Sequence, residues 1–164
     1  MKLILTILLN ISLTSCGVYS FTGASISTEA KTISVDYFNN NAATVHPSLS
    51  QVFTELLKDM FLKQTNLSLS KNEGDLSFSG YISKYQIKPM AIKANETAGQ
   101  NRLTIAVKVT YNNSLDAENN FKHTFSRYRD YDSAQNISDI EKTLIEEITN
   151  ELAEDVFNKA FVNW

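Results

Sequence analysis

The chain has 164 residues, with 15 Lys and Arg against 18 Asp and Glu, a formal charge of −3 and one cysteine. A nucleic-acid partner calls for a basic excess that this balance lacks, and a single thiol excludes an intrachain disulfide. Stability must therefore come from the core, which a chain of this length with 43% hydrophobic residues is able to build as one domain.

The chain opens with a positive residue, Lys2, and an apolar stretch over residues 3–13 broken only by Thr6, Asn10 and Ser12. Eleven residues do not span a bilayer core, which takes roughly 20 in helix, so residues 1–15 read as a cleaved secretion signal. Leu13-Thr14-Ser15-Cys16-Gly17 resembles the lipobox of bacterial lipoproteins, with Cys16 as the acylated first residue of the mature protein. Each buried methylene contributes about 0.8 kcal/mol and stable attachment takes more than one chain, so a lipoprotein's two or three chains tether the domain to a membrane. The resemblance favours the outer membrane, because Gly17 stands where aspartate marks inner-membrane retention. No acidic run follows Cys16, which points the domain to the periplasm. Removal of the signal leaves 149 residues with 14 basic and 18 acidic groups. Residues 16–31, rich in Ser, Thr, Gly and Ala, read as a lipidated tether, and residues 32–164 as a single domain.

Residues 32–38 alternate, with Ile33, Val35 and Tyr37 on one side of an expected strand. A polar loop over residues 39–45 leads to Pro47, suited to a first helical turn, and Ser48 with Gln51 fits a capping box. Leu49, Val52, Phe53, Leu56, Leu57, Met60 and Phe61 then mark one helical face. Residues 67–70 are a short strand, 71–74 a turn, and 76–88 a long strand carrying Gly80 and closed by Pro89. After a loop, Leu103, Ile105, Val107, Val109 and Tyr111 alternate against Arg102, Thr104, Ala106, Lys108 and Thr110, giving one core face and one wet face. Residues 121–131 return with Phe121 and Phe125 inward. Ser138-Asp139-Ile140-Glu141 matches a capping box, and Ile140, Leu144, Ile145, Ile148, Leu152, Val156 and Ala160 continue as a helical stripe. The expected architecture is α+β: a two-layer sandwich in the order β-α-β-β-β-β-α. Two helices pack on one face of a four- to five-stranded mixed sheet, and the other face is left open.

Catalytic chemistry finds little support. His46 stands beside a proline and His123 between two phenylalanines, where a partly buried structural role is expected; neither has a nucleophile motif or metal-ligand spacing around it, and no cofactor or metal is implied. More suggestive is the edge where the folded meander brings strand ends together. Lys84, Lys88, Arg102, Arg127 and Arg129 converge there, with Lys93 in the adjoining loop, interleaved with Tyr85, Ile87, Met90 and Tyr128. Apolar alternation fails at this end, so either a bulge shifts the register or the sheet runs past the helices. Such a tip suits an amphiphile with phosphates; the plainer reading is a solvated sheet end offset by Glu96, Asp130 and Asp132.

The element order, together with Cys16-Gly17-Val18-Tyr19-Ser20-Phe21, Leu49-Ser50-Gln51, Asn101-Arg102-Leu103-Thr104-Ile105 and Phe125-Ser126-Arg127, resembles the LptE family of lipopolysaccharide-assembly lipoproteins across the mature chain. The resemblance implies a non-catalytic outer-membrane lipoprotein that plugs the LptD β-barrel. Such a protein assists barrel assembly and helps deliver lipopolysaccharide to the outer leaflet, contacting it through basic residues near the sheet. Lys88, Lys93, Arg102, Arg127 and Arg129 are the candidates by position. The alternatives are another periplasmic lipoprotein, acting as a secretin pilot or lipid-transporter auxiliary subunit, and a periplasmic enzyme with a closed pocket. Asp132-Ser133-Ala134 also looks like a bacterial O-glycosylation site, with Ser133 as acceptor.

Overall fold

The computed structural model describes residues 26–90 and 99–162. The signal, Cys16, most of the tether and Lys93 lie outside the described residues. Among the described residues six strands and two α-helices follow in order, with a short 3-10 turn over Ala117–Asn119: β1 (Thr32–Val35), β2 (Asn39–Asn40), α1 (Leu49–Gln64), β3 (Ser68–Leu69), β4 (Leu76–Met90), β5 (Gln100–Asn113), β6 (Phe121–Asp132) and α2 (Ile137–Phe161). They build a mixed sheet in the order β3-β1-β4-β5-β6, with β2 also against β4. Parallel strands need a crossover, and α1 supplies it between β1 and its parallel neighbours β3 and β4. The tight loops around residues 114–120 and 133–136 allow β5, β6 and α2 to fold back in sequence. Both helices cover one face, as the sequence leads one to expect; the sheet has six strands because two of them are only two residues long.

The core lies between helices and sheet. From α1 come Leu49, Phe53, Leu57 and Phe61, from α2 Ile148, Leu152, Val156 and Phe161, and from the sheet Phe78, Ile82, Val107 and Tyr111. Phe61 and Phe78 stack with centroids 4.5 Å apart, Phe78 meets Tyr111 at 4.7 Å and Phe161 closes the group. Burial pushes the Tyr111 hydroxyl up to about 12.

The first strand differs from the sequence reading. Pairing as β1 stops at Val35, so Tyr37 is exposed and Phe38 is fully buried, the reverse of unbroken alternation. The break is held from below, since the Phe38 N–H donates to the buried Thr54 hydroxyl of α1 at 3.1 Å. Asn39 and Asn40, expected as loop, then pair beside Tyr81 and Ile82. Two caps also differ. Ser48 makes no capping bond and turns its hydroxyl to His46 Nδ1 at 3.3 Å instead. The second helix begins one residue before Ser138, capped by the Asn136 side chain, and Glu141 accepts a hydrogen bond from the Tyr85 hydroxyl. β4 runs through Pro89, because β1 and β2 reach only as far as Ile82 and the rest of β4 is an edge, where proline is tolerated.

Two positions tie the layers together. A Cβ on Gly80 would stand 2.0 Å from the Lys108 carbonyl oxygen and 2.7 Å from the Phe38 ring, so the Phe38 ring requires glycine beneath it. Asp75 joins the start of β4 to the start of β1: its Oδ2 accepts the Lys31 N–H at 2.9 Å, the Thr32 N–H at 2.9 Å and the Thr32 hydroxyl at 2.8 Å. The Lys31 N–H foremost, then the Thr32 hydroxyl, hold this carboxyl below its ordinary value. Gly80→Ala is expected to destabilise the fold by at least about 1–3 kcal/mol in urea titration. A carboxyl depressed in the folded state stabilises above its unfolded value and loses that contribution as pH falls. Below about pH 4 the urea midpoint of the parent protein is therefore expected to drop more steeply than that of Asp75→Asn.

Candidate functional site

A bulge in β4 organises the open sheet face. Ile82 pairs with Val107 and Lys84 with Ala106, so Ser83 is an extra residue without a counterpart on β5. Before it Leu76, Phe78 and Ile82 point to the helices; after it Tyr85 and Ile87 do, and Lys84 and Lys88 are carried to the opposite face. Pairing sets the rows of that outer face. Lys88, Arg102 and Asp130 stand side by side, then Gln86, Thr104 and Tyr128, then Lys84, Ala106 and Ser126, then Tyr81, Lys108 and Thr124, then Ser79, Thr110 and Lys122. Strands lie roughly 4.8 Å apart and alternate residues roughly 6.6 Å apart along a strand, so this is a continuous surface.

Five cations, Lys84, Lys88, Arg102, Lys108 and Lys122, share it with two carboxylates, Asp130 and Asp132, in a chain whose formal charge is −3. Among the described residues Lys84, Lys88 and Lys122 have no ion-pair partner. Lys108 Nζ lies 5.9 Å from the Tyr81 ring centre. Arg102 is fixed more firmly: its guanidinium donates to both Asp130 oxygens, at 2.6 and 2.7 Å, and lies 3.6 Å over the Tyr128 ring. The Asp130 hydrogen bond raises the Arg102 pKa. Tyr128 is 49% exposed, leaving an aromatic face beside the cations.

Arg127 and Arg129 are placed differently. β6 has no bulge, so they continue the inward parity of Phe121 and Phe125 and face α2. Arg127 grips Asp155 through two bonds of 2.6 Å, with Glu151 at 4.0 Å. Arg129 binds Glu147 at 2.8 Å and Glu151 at 2.5 and 3.2 Å. The spacing fits because four helical residues rise about 6 Å, close to the roughly 6.6 Å between alternate strand residues. Glu151 is held below the usual carboxylate range by the Arg129 hydrogen bond, and Arg129 is raised by Glu151 and then Glu147. In all α2 carries seven carboxylates against Lys142 and Lys159.

Of the five lipopolysaccharide candidates, the structure brings Lys88 and Arg102 together on the open face and sets Arg127 and Arg129 into the seam with α2. Lys93 lies outside the described residues. Lys108, Lys122 and Tyr81 join the face without having been singled out; their signal was the wet side of the strand alternation. His123, expected partly buried, is exposed on the edge strand with its ring 4.7 Å from Phe125. His46 Nε2 approaches Glu141 at 3.5 Å, which ties the approach to α1 to the first turns of α2. Ser133 is exposed in the turn between β6 and α2.

A two-layer α+β module with one basic, uncovered sheet face is the class that these features define. A family profile described as LptE, lipopolysaccharide-assembly, matches residues 30–160, and the chain belongs to that family. Three solved structures share the fold. A minor lipoprotein from Acinetobacter baumannii is 15% identical, covering 79% of this chain and 91% of its own, with a TM-score of 0.53. A hypothetical protein from Chlamydia trachomatis is 8% identical, covering 80% and 98%, at 0.52. A neuraminyllactose-binding hemagglutinin homologue from Helicobacter pylori is 8% identical, covering 83% and 86%, at 0.53. No curated protein matches the chain.

The seam between β6 and α2 is half exposed, so its value is set by solvent screening. Arg129→Gln is expected to lower stability by about 1 kcal/mol, and addition of salt is expected to narrow the gap to the parent protein in thermal melts.

Proposed function

We propose that this protein is an outer-membrane lipoprotein, anchored through Cys16 and facing the periplasm, that serves lipopolysaccharide assembly without catalysing a reaction. In this reading it partners an LptD-type β-barrel, assists its assembly and helps pass lipopolysaccharide to the outer leaflet. Family membership supports the role in lipopolysaccharide assembly. The observation that carries the contact surface is the concentration of five cations on the uncovered face of an acidic chain.

Lipopolysaccharide presents phosphates on an amphiphile. The open face answers both parts: the amines of Lys84, Lys88 and Lys108 and the guanidinium of Arg102 for phosphate, with Tyr81 and Tyr128 as apolar surface between them. Arg102, pinned by Asp130 and stacked on Tyr128, keeps its planar fork at a fixed height, and a phosphate would compete with Asp130 for it. Lys93, which follows β4 and precedes β5 in the chain, belongs to the same proposed contact set as a candidate from the sequence. Arg127 and Arg129 act instead on the other side of the sheet, holding α2 in place. Among the described residues, burial raises the Tyr85 and Tyr111 hydroxyls, and ion pairing with Glu151 and Glu147 raises Arg129.

Two measurements test the reading. Lys84→Glu with Lys88→Glu is expected to weaken lipopolysaccharide binding roughly tenfold at low salt, from two exposed interactions of about 0.5–1 kcal/mol each, with an unchanged circular dichroism spectrum. Arg127→Ala is expected to leave binding within twofold, on the order of the error in such titrations. Equal losses in both variants, or none in either, would sink the surface assignment. For the partner, mild detergent extraction is expected to recover a stoichiometric β-barrel with the protein; recovery with a secretin or an inner-membrane transporter would favour the alternative lipoprotein roles.

A further inference from the structure

Asp132-Ser133-Ala134 closes β6 and opens the turn into α2. Its backbone is fixed on every side. The Ser133 N–H donates to the Gly99 carbonyl at 3.0 Å, the Gln135 N–H to the Asp132 carbonyl at 3.0 Å, and the Asp132 carboxylate accepts the Ala134 N–H two residues on at 2.8 Å. The Ser133 hydroxyl, by contrast, is exposed and makes no hydrogen bond among the described residues. Gly99 contributes to that openness: a Cβ there would stand 2.9 Å from Ser133 Oγ, so the missing side chain leaves the hydroxyl uncovered. A small methyl, Ala134, follows it. A rigid surface turn that offers one unused hydroxyl between a carboxylate and a small residue has the geometry of an acceptor, and the tripeptide matches the bacterial O-glycosylation pattern.

We propose that Ser133 carries an O-linked glycan, transferred from a glycosyl diphosphate donor by a separate transferase. In the transfer the Ser133 Oγ bonds to the anomeric carbon, the bond from that carbon to the diphosphate oxygen breaks, and the diphosphate leaves with the electron pair. The hydroxyl proton passes to a base of the transferase. A neutral sugar suits this position better than a phosphoryl group, which would set a dianion beside Asp130 and Asp132. Asp132 is a positioning residue, since its carboxylate orders the turn and not the hydroxyl. Ser133 lies three residues from the row of Lys88, Arg102 and Asp130, about 10 Å along the strand, so the glycan stands at the rim of the basic face and leaves it open. The assignment stands apart from the lipid-contact reading, and either can fail while the other holds.

The full chain is purified from the membranes of its source cells, and the tryptic peptide running from Asp130 to Lys142 is analysed by electron-transfer fragmentation. The expected result is a mass increment of whole sugar residues that maps to Ser133, is lost in Ser133→Ala, and is retained in Ser133→Thr. Asp132→Ala, which removes the acceptor of the Ala134 N–H, is expected to reduce occupancy while the circular dichroism spectrum stays unchanged, and Asp132→Asn, which keeps that acceptor, is expected to retain it. An unmodified peptide, a phosphoryl increment, or an increment that maps to Asn136 or Ser138 and survives Ser133→Ala would overturn the proposal. Ser133→Thr covers the case in which the alanine variant accumulates poorly, because a folded threonine variant without sugar would also overturn it.

Discussion

Ser83 is one residue more than β5 can match, and the chemistry of the sheet depends on that mismatch. Up to Ile82 the even positions of β4 face the helices; beyond it the odd positions do. The inner face thereby keeps Tyr85 against Glu141 and Ile87 beside Leu103, while Lys84 and Lys88 leave the interior without a desolvation cost that no partner would offset. One inserted residue thus does what several substitutions would otherwise have to do. It converts the far half of a hydrophobic strand pair into a surface with a core side and a cationic side.

β6 meets the same problem by the opposite route. It keeps its register, so Arg127 and Arg129 stay inward and are matched by carboxylates from α2 at three successive helical turns. Glu147, Glu151 and Asp155 repel one another along an isolated helix, where like charges four apart are unfavourable. Only against β6 do they become favourable, which makes the middle of α2 dependent on the edge strand it covers. The apolar residues of the helix, Ile148, Leu152 and Val156, then turn toward α1 and the sheet, and the charged seam fixes the rotation that puts them there.

Much of this was legible in the sequence. Both helices, the three long strands and the one-sided packing follow from period and punctuation, because each long element is strongly patterned. What escaped was set by single contacts between distant residues. The buried Thr54 takes the Phe38 N–H and breaks the first strand; the space over Gly80 admits the Phe38 ring; and Asn136 displaces Ser138 as a cap. Of the candidate contact residues, the convergence of strand ends was readable, and so was the alternative between a bulge and an overrunning sheet. The sequence could not show that β4 takes the bulge while β6 keeps its parity, since that choice rests on whether carboxylates arrive from a helix that begins only after β6 ends. Lys88 and Arg102 therefore meet on one face, and Arg127 and Arg129 on the other.

The separation of charge between the layers has a consequence for the molecule as a body. Amines and a guanidinium gather on the outer sheet face, and the helix across the core from it carries seven carboxylates. The domain is accordingly an electric dipole directed across its thin dimension. Near an anionic interface such a body experiences a torque as well as a pull, and it turns its sheet toward the surface over about one Debye length, roughly 8 Å at physiological ionic strength. Orientation thus precedes contact, and dilution of the surrounding salt lengthens the distance over which the domain is aligned.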